Sequence, residues 1–180
     1  TNGLNHFFTR PFNLAFNVYQ GYDLIESHDL YLKYPNYKIS EQLAKKVHYD
    51  REKVEKLGIE PKEAFSLLKK YTDNKEYVYC GSNYLGYDCM IIKNSAEEVG
   101  IDIGYNYLQS VYDTNAIFKA FKLNIKPDNE NLLAWQISMN EKKVKGLKSR
   151  LGIVCEYFEI PYLDEEAHSG NYDVIKSHDC

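Results

Sequence analysis

The sequence predicts a mixed α/β fold, a sheet with helices packed on it. Three observations predict it: an early pair of alternating stretches, a helical middle, and short β-rich runs that each lead into a helix. Leu14, Phe16 and Val18 alternate with Ala15, Asn17 and Tyr19, the period-two pattern of a half-buried strand. Asp29-Leu30-Tyr31-Leu32-Lys33-Tyr34 repeats that pattern and stops at Pro35. The two stretches read as an antiparallel hairpin joined through Gln20-Gly21-Tyr22-Asp23.

From Ser40 the texture becomes helical. Ser40 is placed to cap a short helix through Lys46, Asp50 to cap a second, and Gly58 to end that second helix in a left-handed conformation. Pro61 takes a first-turn position before Ala64, Phe65, Leu67, Leu68 and Tyr71. Tyr77-Val78-Tyr79-Cys80-Gly81 is β-rich and runs into a Ser/Asn/Gly loop, after which Asp88-Cys89-Met90-Ile91-Ile92 begins a helix. Ser110-Val111-Tyr112-Asp113 is another brief strand, leading into a helix from Thr114 to Phe121. The polar stretch between Lys122 and Val144, around Trp135, reads as an inserted helix or lid. Leu147, Leu151, Val154, Cys155 and Phe158 mark one face of a further helix closed by Pro161, and a last helix starts near His168 and is still running at Cys180. In open sheets ligands gather at the carboxyl ends of strands, where Asp88 and Asp113 fall.

A chain of 180 residues suits one domain, 1–180. Hydrophobic residues at 44% and charged residues at 27% are ordinary globular values, which argues against a disordered or membrane-embedded class. No apolar run approaches the roughly 18 residues of a membrane span, and the first residues show neither a basic leader nor an apolar signal core. A cytoplasmic protein without a membrane partner is expected. The net charge of −4 argues against a broad electrostatic grip on nucleic acid, yet suits a site built from carboxylates to hold divalent cations. Cys80, Cys89, Cys155 and Cys180 form no Cys-x-x-Cys pair, so neither zinc nor a disulfide framework is expected, and a reducing cytosol fits. Many Tyr, Lys, Asn and Ile residues suggest an AT-rich genome, that of a phage or a low-GC bacterium.

The sharpest local signal is Ala167-His168-Ser169-Gly170-Asn171-Tyr172-Asp173-Val174. A helix starting at His168 projects Asp173 near its mouth, so that a base and a metal-binding carboxylate share one cleft. Taken alone, a His-x4-Asp pair is more often a surface histidine and an unrelated aspartate. Its weight comes from company. Gly81-Ser82-Asn83-Tyr84-Leu85-Gly86-Tyr87-Asp88 places an aspartate after a strand and a flexible turn, and Thr1-Asn2-Gly3-Leu4 precedes the hairpin.

These pieces in this order resemble the DEDD exonucleases with a histidine base, the family of the proofreading subunit of bacterial replicases, oligoribonuclease and bacterial exonuclease I. Asp113-Thr114 resembles the family's Asp-Thr before a helix, and Gly146-Leu147-Lys148 through Ile160 resembles the helix before the third motif. The resemblance implies an RNase H-like mixed sheet flanked by helices and a two-metal hydrolysis with Mg²⁺ or Mn²⁺. It makes Asp88 and Asp173 metal ligands and His168 the base that takes the proton of the attacking water. The implied partner is nucleic acid with a free 3′ end, released as nucleoside 5′-monophosphates. The length between Asp88 and His168 leaves room for an insertion and favours single-stranded DNA, with an RNA-directed relative also open. Attachment to a polymerase or replication partner is left open too.

The family's first motif, Asp-x-Glu-Thr-x-Gly-Leu or similar, supplies two carboxylates, and Thr1 stands where that pair has already been passed. The expectation is an incomplete sequence that lacks the first strand of the sheet and the end of the last helix. The rival is a catalytically inactive exonuclease-like module that binds nucleic acid or docks on a polymerase. Thr1 and Leu4 are candidate substrate contacts, Leu4 resembling an apolar wedge beside the terminal base, and Asn83 and Tyr87, in the loop leading to Asp88, are further candidates. The bland alternative is a turn leucine and ordinary loop residues. Trp135 is either a base-stacking surface or a core anchor. His6, His28, His48 and His178 have no partners at ligand spacing and read as structural or surface residues.

Overall fold

The structure is a computed structural model and describes residues 9–180. Its first elements are β1 (Asn13–Gln20) and β2 (Asp23–Tyr31), an antiparallel hairpin in which Leu14 faces Leu30 and Phe16 faces His28. Gly21, at φ +63°, supplies the left-handed turn residue. β2 therefore begins well before the alternation at Asp29. Leu24 and Ile25 are exposed, so pairing across the tight turn, not burial, makes this part of the strand. β2 ends at Tyr31, and Leu32 bridges in parallel to Ile59.

α1 (Glu41–Lys46) and α2 (Arg51–Leu57) carry the expected caps, the Ser40 side chain accepting from the Leu43 N–H and that of Asp50 from the Lys53 N–H. Gly58 departs from expectation: at φ −68° it is extended rather than left-handed. Glycine is needed there for close approach, because a Cβ would collide with the Val54 carbonyl. α3 (Pro61–Thr72) has Pro61 in its first turn and buries Ala64, Phe65 and Leu68.

β3 (Tyr79–Gly81) and β4 (Val111–Asp113) pair in parallel, Gly81 opposite Asp113. Between them a π-helical turn, Tyr84–Asp88, feeds α4 (Cys89–Glu98). α5 (Thr114–Leu123), α6 (Leu132–Glu141), α7 (Leu151–Tyr157) and α8 (Gly170–Asp179) follow. The protein is thus mixed α/β, but among the described residues its strands make two separate pairs rather than one sheet. α8 packs against β1 and β3, one strand of each pair. Leu14, Leu32, Phe65, Leu85, Ile103 and Val111 belong to one core that spans both pairs. No described helix is long and apolar enough to cross a membrane.

The stretch around Trp135 is a strut against α5 and β4, not a lid. Trp135 packs on Ala116, Ala120 and Met139 as a core anchor. Gln136, 1% exposed, accepts from the Asp113 N–H at 2.7 Å and donates to the Val111 carbonyl at 2.8 Å. Its amide thereby occupies the edge of β4 as a neighbouring strand would. Gln136→Leu keeps the bulk and orphans both backbone groups, each worth about 1–3 kcal/mol. We expect urea unfolding to show a loss of that order per group, and an unchanged midpoint to refute the edge-pairing role.

Two further corrections concern the carboxyl-terminal elements. α7 spans only Leu151–Tyr157, leaving Leu147 outside and Phe158 as an exposed cap. α8 starts at Gly170 and not at His168, because His168 is left-handed at φ +69° and Ser169 is the extended N-cap. Cys155 and Cys180, far apart in sequence, are free thiols 3.4 Å apart that join α7 to the end of α8.

Candidate functional site

Two strand ends and one helix start build the site. β3 leads into a turn opened by Asn83, which is left-handed at φ +57°, and pinned by buried Leu85. Asp88 closes that turn in helical conformation, and its carboxylate makes no capping bond to α4. Burial pushes the Asp88 carboxyl up to about 6, and the charges of Asp113 and Asp173 add to the effect.

Asp173 approaches from the first turn of α8. Cys80 of β3 donates its thiol to the Ser177 carbonyl, which lays α8 along the strand that leads to Asp88. The Asp173 Oδ2 accepts the His168 N–H at 3.1 Å, whereas Oδ1 is buried with no hydrogen-bond partner among the described residues. Burial pushes the Asp173 carboxyl up to about 6 as well, opposed by the His168 N–H and the His48 charge. The structure therefore brings Asp88, Asp173 and the His168 backbone to one region.

His168 sits on the turn before α8, exposed as a residue but with its ring partly withdrawn from water. Its imidazole is shifted below its usual range by burial and by the nearby Lys46 and His48, which favours the neutral, proton-accepting form. His48, read from the sequence as a structural or surface residue, is exposed and has a structural role beside His168. Its Nε2 lies 3.0 Å from the Ala167 carbonyl, so it holds the turn that presents His168. With 119 residues between them, no spacing pattern could have linked the two. His28 stacks on Phe16 and His178 on Tyr19, both packing roles.

Among the proposed substrate contacts, Asn83 is exposed and Tyr87 half-buried on the loop leading to Asp88, while Thr1 and Leu4 lie outside the described residues. Two desolvated carboxylates, one with an oxygen that has no hydrogen-bond partner among the described residues, are the oxygen-donor chemistry that Mg²⁺ or Mn²⁺ takes. Among the described residues no group of three or more His, Cys, Asp or Glu side chains forms a complete cage. Comparison with protein-family models, curated proteins and solved structures gave no match. The functional reading rests on the site itself.

Proposed function

We propose that the chain is a DEDD-type 3′-to-5′ exonuclease domain with an RNase H-like fold, acting on single-stranded DNA. The observation that carries this reading is the buried Oδ1 of Asp173, which has no hydrogen-bond partner among the described residues and is held in the same region as Asp88 on a carboxylate that accepts the His168 N–H. A buried carboxylate oxygen without a donor is costly, and a cation relieves that cost. The element order supports the fold, since a hairpin is followed by a parallel βαβ pair with both lying on α8.

When bound, two divalent cations supply an activated water and stabilise the leaving 3′ oxygen. Asp88 and Asp173 would hold them through their carboxylate oxygens. His168, neutral at physiological pH, accepts the proton of the attacking water, and His48 fixes its turn. Asn83 and Tyr87 would line the path of the terminal nucleotide.

The test uses the full-length protein as its gene encodes it, with a 5′-labelled single-stranded oligonucleotide. We expect stepwise shortening from the 3′ end, release of nucleoside 5′-monophosphates, dependence on Mg²⁺ or Mn²⁺, and complete loss in excess chelator. Retained binding without cleavage would sink the enzyme reading and favour the inactive docking module.

A further inference from the structure

Asp113 ends β4 with its side chain fully out of solvent, 0% exposed. Its Oδ1 accepts the N–H groups of Asn115 at 3.1 Å and Ala116 at 3.3 Å, which is the N-cap of α5. A cap needs nothing more. The same carboxylate also accepts the Asn83 N–H at 3.0 Å, the Leu85 N–H at 2.9 Å and the Asn140 side-chain amide at 2.8 Å. Asn140 is itself fixed, its Oδ1 accepting from the Asn115 side chain and its carbonyl from Lys119, both at 2.7 Å. Asp113 thus meets donors from three places: its own helix, the loop that leads to Asp88, and α6. Burying a carboxylate is unfavourable unless donors fill its lone pairs, and here five do.

We infer that Asp113 is the positioning residue of Asp88: clamped from α6 by Asn140, it fixes the backbone at Asn83 and Leu85 and so sets where Asp88 lies relative to Asp173. The exonuclease reading supplies what Asp88 does, but the way Asp88 is held does not depend on it. Asp113 contributes no ligand and acts only through the two loop amides. The carboxylate is required because both oxygens must accept. In Asp113→Asn one oxygen becomes an NH₂ group facing donors, while Asn140→Ala removes the α6 clamp alone.

The experiment measures two quantities on the full-length protein: amide hydrogen exchange at Asn83 and Leu85, and Mn²⁺ affinity by electron paramagnetic resonance. Asp113→Asn is expected to speed exchange at both amides and to weaken Mn²⁺ binding, each by about tenfold or more. Asn140→Ala should act in the same direction, less strongly, and remains informative if Asp113→Asn fails to fold. Val54→Ala, a core truncation in α2, is the control for general destabilisation and should change neither quantity at temperatures where it stays folded. Protected amides in folded Asp113→Asn or Asn140→Ala protein would overturn the inference. So would faster exchange with wild-type Mn²⁺ affinity, or an equal loss of affinity in Val54→Ala. If the wild-type protein binds no Mn²⁺, the exonuclease reading fails, and the exchange rates alone decide whether Asp113 holds the loop.

Discussion

His168→Ala should lower exonuclease turnover by about 10²- to 10⁴-fold, the usual contribution of a positioned general base, while Mn²⁺ affinity stays close to that of the unchanged protein. The two effects separate because His168 donates to Asp173 through its backbone N–H, which alanine retains. Asp173→Asn should do the reverse first, removing cation binding and activity together. The neutral imidazole also predicts a pH profile. Because burial, Lys46 and His48 all lower the His168 pKa, the acid limb of activity should lie below that of an ordinary histidine. Removing the positive neighbour in Lys46→Ala should move it upward. Single-turnover kinetics across pH read all of this, and undiminished cleavage by His168→Ala protein would end the mechanism.

The second large effect couples stability to pH and cations. The Asp88 and Asp173 carboxyls titrate near 6 in the folded protein, above the ordinary aspartate value of 3.8. A raised folded pKa means that protonation favours the folded state. The stabilisation is fully present below the unfolded value and is lost as pH rises through about 6. Without divalent cations, Asp173→Asn should therefore melt higher than the unchanged protein at pH 7.5, since an amide keeps the bond to the His168 N–H without a buried charge. Cations reverse the order. At a hundredfold excess over Kd, Mg²⁺ should stabilise the unchanged protein by about 2.7 kcal/mol at pH 7.5 and leave Asp173→Asn unmoved. Near pH 5 protons compete for the same oxygens, and the Mg²⁺ effect should shrink. Thermal scans at the two pH values check it. A Mg²⁺ shift independent of pH would remove both aspartates from the ligand set.

Much of the local structure was legible because short-range chemistry decides it. Ser40 and Asp50 cap the helices they precede, Pro61 starts α3, and the runs before Asp88 and after Ser110 are strands. Errors fell where pairing or packing overrode the local signal. The start of β2 is held by a tight turn rather than by alternation, and Gly58 serves close approach rather than a left-handed end. A helix start at His168 was the natural reading of His-x4-Asp, but that residue turns left-handed and hands the cap to Ser169.

The sequence by itself determined the order of strands and helices, the junction at Asp88 and the presence of a histidine and an aspartate before and within the last helix. Those are properties of neighbouring residues, fixed by propensity, capping and period. Only the tertiary structure decided that α8 lies against β1 and β3, that His48 holds the His168 turn across 119 residues, and that Gln136 and Asn140 brace the end of β4. Buried polar groups must find partners wherever the folded chain supplies them, and the distance along the sequence imposes no pattern on that choice.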